Sequence, residues 1–298
     1  MINKFNFKNI LITGGAGFLG SSLIQHISKN FKYNKIISID NYSSGTKNNH
    51  IKRKNIKYFN LDCRDIFKNK ELLKYKPNFV FHFGEFSRVV PSFDIKKKCL
   101  DYNISGTLNV VKYALNKRSK LIYSATSMQL GKKNNENLSP YAWSKSKNVE
   151  LIKNFSKWYN LNYSLAYFFN VYGKKQIRSG AMASVIGVFE RQYRKRQSLT
   201  VVKPGIQKRD FTHIDDVING TILCATKGKK KAYYIGSGKA YSVIKVAKKF
   251  KKKIKYVAKR PGEKFTGKAN LNLARKELGY RPKKDLLNYI DNFVKYNN

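Results

Sequence analysis

Along the first half of the chain, short apolar runs alternate with stretches in which apolar residues recur at helical spacing. Ile10, Leu11 and Ile12 form a continuous apolar run of the kind that predicts a strand buried on both faces. The run breaks at Gly14, and Phe18, Leu19, Leu23, Ile24 and Ile27 then follow at helical spacing. Further strands are predicted over Lys35–Asp40, Ile56–Asn60, Phe79–Phe83 and Lys120–Ala125. A helix is predicted from about Lys97 to Asn116, and another begins at Pro140, a residue suited to a first helical turn. Strands alternating with helices across short links describe an α/β fold, a doubly wound parallel sheet. No internal repeat or low-complexity linker interrupts it. A chain of 298 residues can bury a sizeable core as one large domain or two small ones.

The first strand, turn and helix carry glycines at Gly14-x-x-Gly17-x-x-Gly20. Gly14 allows a tight turn, Gly17 lets backbone approach a pyrophosphate, and Gly20 lets the helix pack on the strand. The amino end of that helix stabilises phosphate charge. Such a triplet alone says little, but the second strand ends in Asp40, twenty residues beyond Gly20. A carboxylate there accepts hydrogen bonds from an adenosine ribose and repels a 2′-phosphate, which favours NAD over NADP. Asp62 follows the third strand, where it can meet an adenine amino group or cap the segment that starts near Ile66. His82, within an apolar strand, reads as a core histidine. Asn103 and Gly106 share one helix face, which suggests close packing or a hydrogen bond to a neighbour.

Composition changes this picture little. The net charge is +44, from 61 Lys plus Arg against 17 Asp plus Glu. Such a balance raises nucleic acid or an anionic surface as partner. The lysines, however, are spread over the whole chain. The densest runs, Lys227–Lys231 and Lys248–Lys253, lack interleaved base-stacking aromatics, so a dedicated nucleic-acid site is not the reading. The same field draws in a small anionic substrate. No apolar run approaches the ~18 residues of a membrane span. The first strand starts too early to leave room for a signal peptide. Cys63, Cys99 and Cys224 have neither metal-ligand nor disulfide spacing, which fits a reducing cytoplasm.

The chemistry is signalled by Pro140-Tyr141-Ala142-Trp143-Ser144-Lys145. Tyr141 and Lys145, four apart, share a helical face. A phenol that titrates near ~10 is a poor base at neutral pH. A nearby ammonium and a nicotinamide cation are expected to lower that value. Thr126, at the end of the preceding strand, can share the proton and orient a substrate hydroxyl.

These residues resemble the extended short-chain dehydrogenase/reductase family, in particular its NAD-dependent nucleotide-sugar epimerases and dehydratases. The resemblance covers nearly the whole chain. It runs from Thr13–Gly20 through Asp40-Asn41, Asp62, Asn103-x-x-Gly106-Thr107, Thr126 and Tyr141-x-x-x-Lys145. It continues through Phe168–Gly173 and Lys208–Val217 to Arg260-Pro261-Gly262-Glu263 and Leu278–Pro282. It implies a Rossmann domain over 1–168 and a smaller, partly interleaved substrate domain over 169–298. By likeness, Tyr141 is the catalytic base, Lys145 its partner and Thr126 the hydroxyl helper. Cofactor contacts are implied for Gly14, Gly17, Phe18, Leu19, Gly20, Asp40, Asn41, Asp62, Asn103, Tyr141 and Lys145. Thr126 would meet the substrate hydroxyl, Asn170 the sugar diphosphate, Arg209 and Arg260 its pyrophosphate, and Glu263 the nucleotide ribose. A homodimer is implied by likeness alone.

The family's 4,6-dehydratases carry an Asp-Glu pair after the strand-end Thr, and its decarboxylases a Glu nearby. Here Ser127-Met128 stand in those places. The expectation is therefore oxidation and re-reduction at one sugar carbon, as in a UDP-hexose 4-epimerase that regenerates its own NAD. In that branch the fourth residue past the acid of Arg-Pro-Gly-Glu gates the sugar. Here it is Gly267, which predicts acceptance of N-acetylhexosamine. Phe83-Gly84-Glu85-Phe86 depart from the small residues usual in relatives, and Glu85 near a nicotinamide is unusual. Two alternatives stand beside this reading. One is another nucleotide-sugar epimerase or reductase; the other is a non-catalytic cofactor-binding protein that holds nucleic acid on its basic surface.

Overall fold

The computed structural model describes residues 6–130, 137–262 and 267–297. Seven strands build the main sheet: β1 (Asn9–Thr13), β2 (Lys35–Asp40), β3 (Ile56–Asn60), β4 (Phe79–His82), β5 (Lys120–Thr126), β6 (Tyr163–Phe168) and, from later in the chain, β11 (Ala232–Ile235). Every neighbouring pair is parallel, in the order β11-β6-β5-β4-β1-β2-β3. The order reverses between β1 and β4. At that point the helices after the two strands leave to opposite faces and open a crevice at the carboxyl ends. The glycine turn after β1 lies at that crevice.

The remaining strands are short and paired: β7 (Val171–Tyr172) with β10 (Thr212–His213), β8 (Leu199–Val202) with β13 (Ile254–Val257), and β9 (Lys208–Asp210) with β12 (Ala240–Ser242). They surround a second core that includes Phe189, Tyr193, Val201, Phe250 and Phe293. The chain beyond residue 169 divides between the two cores. The helix Ile214–Thr226 and strand β11 return to the large sheet, where Ile218, Ile222, Tyr233 and Ile235 join the first core.

Two helices position the chemistry. The helix Pro140–Tyr159 starts on Ser139, whose hydroxyl accepts from Ala142 N at 3.1 Å, with Pro140 in the first turn. It ends on Asn160 at φ 58°, a left-handed residue that stops the helix. The single helix expected near residues 97–116 is helical throughout but holds a wide π turn at Asp101–Ser105, between Lys96–Leu100 and Gly106–Asn116. Periodicity over so short a stretch does not distinguish 3.6 residues per turn from a local insertion. The wide turn coincides with Asn103, which is fully buried.

Candidate active site

A cleft of about 510 Å³ opens at the carboxyl ends of β1, β4 and β5 and extends against the second core. One end is shaped by the glycine turn. Gly14 has φ +68°, and its N–H donates to Ile39 O at 2.8 Å. A Cβ on Gly14 would lie 2.8 Å from Gly84 N, and one on Gly20 would lie 2.3 Å from Gly14 O. The helix Phe18–Asn30 then begins with no side-chain cap, and Gly17, Phe18, Leu19 and Gly20 line the cleft. Unclaimed backbone donors at the positive end of a helix, with no side chain in the way, fit a pyrophosphate. Asp40 reaches back to this turn: it accepts from Ala16 N at 2.9 Å and Tyr42 N at 2.8 Å. Burial raises its pKa, and those backbone bonds oppose the rise.

Asp62 both lines the cleft and caps a short helical turn that begins at Cys63, nearer than the expected Ile66. Burial pushes its carboxyl up, but bonds from Arg64 and Asn41 outweigh this and hold it below the usual range. Asn41 donates to it at 2.7 Å and also lines the cleft. Asn103, an expected cofactor contact, lies off the described cleft wall. Its amide is engaged with Phe86 N at 2.7 Å, Phe86 O at 3.1 Å and Ser144 Oγ at 2.9 Å. It therefore ties the loop after β4 to the tyrosine-bearing helix.

At the other end, Thr126, Tyr141 and Lys145 all line the cleft. Thr126 ends β5 and hydrogen-bonds the Tyr141 phenol. The phenol departs from the expected lowering: it is pushed up to about 12, first by burial and then by the negative charge of Glu85, against the Thr126 bond and the Arg88 charge. The lysine is engaged elsewhere. Its ammonium is bound by the Glu85 carboxylate and the Ser124 carbonyl, and it sits 4.2 Å from the centroid of the Tyr123 ring. Glu85 thus takes the positive charge expected to act on Tyr141.

From Glu85 a chain of hydrogen bonds crosses the sheet to the glycine turn. Thr107 donates to Glu85 Oε1 at 3.1 Å, and its hydroxyl oxygen meets His82 Nε2 at 2.9 Å. His82 Nδ1 lies 2.6 Å from Thr13 Oγ1, which accepts from Gly84 N at 2.9 Å. With the Thr107 proton committed to Glu85, Nε2–H donates to Thr107 and Nδ1 accepts from Thr13. Burial drives the His82 pKa down to about 4, so this imidazole is neutral. It is the core histidine read from the sequence.

Asn170, Arg209 and Arg260 line the side of the cleft toward the second core. Asn170 Nδ2 donates to Asp210 O at 3.1 Å, and Arg209 Nη1 donates to Lys208 O at 3.1 Å. Glu263 lies outside the described residues. Gly267, the expected sugar gate, is half-buried and is not among the described residues of the cleft wall. Counting residues from Glu263 across a loop does not fix where the chain returns. Ser127 and Met128 line the cleft beside Thr126. Among the described residues, the acids on the wall are Asp40, Asp62 and Glu85, each already bonded as above.

Sequence reasoning noticed Glu85 as a departure but did not find its partner. It missed Arg88, whose Nε donates to Met182 O at 2.8 Å on the cleft wall near Tyr141. It also missed Asn148, which donates to Glu85 at 2.9 Å. A signal for Asn148 existed: positions 141, 145 and 148 fall on one helical face, so a polar residue recurs where an apolar one is expected.

Among the described residues, no helix is long and apolar enough to cross a membrane, and no His, Cys, Asp or Glu cluster could hold a metal. Residues 10–236 match the NAD dependent epimerase/dehydratase family. A Methanocaldococcus jannaschii protein, provisionally named a UDP-glucose 4-epimerase, is 31% identical over 97% of this chain and 99% of its own. UDP-glucuronic acid decarboxylase 6 of Arabidopsis thaliana is 27% identical over 94% of this chain and 87% of its own. The solved UDP-glucose 4-epimerase of Thermotoga maritima with UDP-glucose superimposes with a TM-score of 0.88 at 26% identity, covering 97% of this chain and 98% of that one. With a fold, a phosphate cradle and an ordered motif series that agree, the chain belongs to the NAD-dependent epimerase/dehydratase family, and its cofactor is NAD.

Proposed function

We propose that the protein interconverts UDP-hexoses at carbon 4 through a transient 4-keto sugar and restores its own NAD in each cycle. One observation carries the reading. Thr126, Tyr141 and Lys145 share the cleft wall, while the places where dehydratases and decarboxylases of the family hold an acid are Ser127 and Met128. Among the described residues, the three carboxylates on the wall, Asp40, Asp62 and Glu85, are each bonded elsewhere. The likeness to the M. jannaschii and T. maritima proteins supports the choice of carbon and nucleotide.

In this reading Gly14, Gly17, Phe18, Leu19 and Gly20 hold the pyrophosphate of NAD, and Asp40, Asn41 and Asp62 its adenosine end. NAD supplies a hydride acceptor, and in its reduced form a donor, at the sugar carbon. Tyr141 takes the proton of the 4-hydroxyl as the sugar is oxidised and returns it when the turned-over ketone is reduced on its other face. Thr126 holds both the phenol and the substrate hydroxyl. Arg209 and Arg260 neutralise the sugar diphosphate with forked donors, and Asn170 and Glu263 complete its binding. The proposal includes a homodimer, and a reducing cytoplasm in which Cys63, Cys99 and Cys224 stay buried thiols.

The test is incubation of the purified protein with UDP-glucose and, separately, UDP-N-acetylglucosamine, without added cofactor, followed by chromatography of the products. Appearance of the 4-epimer is expected. A stable keto-deoxy sugar or a pentose, or no reaction with either compound, overturns the assignment.

A further inference from the structure

The tyrosine–lysine pair has a third partner that its own spacing does not supply. The Glu85 side chain is 2% exposed and that of Lys145 is 4% exposed. Besides the lysine, Glu85 Oε1 accepts from the Tyr123 hydroxyl at 2.9 Å, Thr107 at 3.1 Å and Asn148 at 2.9 Å. Donors from β5, from the helix Gly106–Asn116 and from the helix Pro140–Tyr159 therefore converge on one carboxylate. A site this enclosed does not tolerate a lone charge: removing either member leaves the other unpaired in low dielectric. Of the lysine's donor positions, one is spent on Glu85 and one on the Ser124 carbonyl.

We propose that Glu85 is a positioning residue that clamps Lys145 in place before any ligand enters and offsets its charge at the Tyr141 phenol. This rests on Tyr141 being the proton-transfer group of the function proposed above. The groups facing Tyr141 come from every side of it. Lys145 lies on its own helix, Glu85 and Arg88 on the loop after β4, and the Cys99 thiol on Lys96–Leu100. Thr126 and Tyr123 come from β5. Glu85 and Cys99 raise the phenol's hold on its proton, while Arg88 and the Thr126 bond weaken it. Arg88 has no acid partner among the described residues; its guanidinium is held by the carbonyls of Met182 and Ser87. The resting phenol is therefore a proton donor, and it becomes an acceptor only when further positive charge enters the cleft.

The experiment is a tyrosinate difference spectrum, the ligand-free protein minus its Tyr141→Phe variant, read as pH is raised. It needs no substrate, so it decides this proposal even if no nucleotide sugar is turned over. Tyr141 should remain un-ionised at pH ~10, where an ordinary phenol is half ionised. In Glu85→Gln, measured against Glu85→Gln with Tyr141→Phe, the midpoint should fall by about one unit or more, and Glu85→Asp should restore it toward the starting value. The alkaline shift in kcat should follow the same order, with KM for the nucleotide sugar little moved. Half-ionisation of Tyr141 at or below pH ~10 in the unsubstituted protein overturns the proposal, whether or not Glu85→Gln folds. So does a Glu85→Gln protein that is folded and has an unmoved midpoint.

Discussion

The two ends of the cleft are built on different principles. The end at the glycine turn is made of backbone: Gly14 at φ +68°, Gly20 with no room for a Cβ, and an uncapped helix start. The end at Tyr141 is made of buried side chains, in which one carboxylate accepts from Lys145, Tyr123, Thr107 and Asn148. The first kind of site is rigid because alternatives are sterically forbidden. The second is rigid only while every member is present, because an unpaired buried charge or donor costs more than the pair contributes. The cofactor end should thus respond to added atoms and the chemical end to removed ones.

The largest effect belongs to the chemical end. Tyr141→Phe removes one oxygen, so the fold and the affinity for NAD should stay near those of the parent protein. Turnover of UDP-glucose should fall by about 10³-fold, within the range for losing a positioned acid–base group. Product chromatography gives the rate and fluorescence of bound NADH gives the affinity. A rate within about tenfold of the parent would place the proton transfer elsewhere and remove the basis for the contrast.

That contrast also explains what could be read from the chain before its structure. Residues 14, 17 and 20 act over seven positions, and Asp40 ends the very next strand, so the cofactor end is encoded locally. Tyr141 and Lys145 are local as well, four apart on one helix. Glu85 is sixty residues from Lys145, and nothing in either neighbourhood specifies the other. Without that pairing, the phenol was expected to be lowered, whereas burial and Glu85 raise it. Asn103 was placed on the correct helix, but the π turn and its bonds to Phe86 and Ser144 depend on the loop after β4. The doubly wound sheet was legible through residue 126, and it became less so once the chain began to alternate between two cores.

An added carbon tests the cofactor end. Gly20→Ala places a Cβ 2.3 Å from the Gly14 carbonyl oxygen, and neither backbone can move without opening the turn. Affinity for NADH should fall by about 10- to 100-fold, the equivalent of the 1–3 kcal/mol that forced local strain costs. Fluorescence titration measures this. Unchanged affinity would mean that the turn yields, and that steric exclusion is not what shapes this end.

In the proposed function the arginines act on the substrate by charge, so that side should show a gentler response. Arg209→Met and Arg260→Met should each raise KM for the nucleotide sugar about tenfold, the loss of one charge-assisted contact, with kcat changed much less. A fall in kcat at constant KM in either variant would move that arginine into the chemistry.

His82 joins the two ends, since it bonds Thr13 beside the glycine turn and Thr107 beside Glu85. Its effect is the smallest and appears in stability. Its pKa falls from 6.5 to about 4 because burial disfavours the imidazolium. Above pH 6.5 the histidine is neutral in both states and folding is not penalised. Between 6.5 and about 4 the unfolded chain takes up a proton that the folded chain refuses, so stability is lost as pH falls through this window. His82→Gln retains a polar side chain but removes the titration. The advantage of the parent protein over that variant, measured by urea unfolding, should therefore shrink by about 2 kcal/mol between pH 7 and pH 5. The carboxylates and the other three histidines titrate in both proteins and cancel in the difference. If the difference stays constant with pH, His82 takes up a proton in place, and the bonds that link the cofactor end to Glu85 must then rearrange as it does.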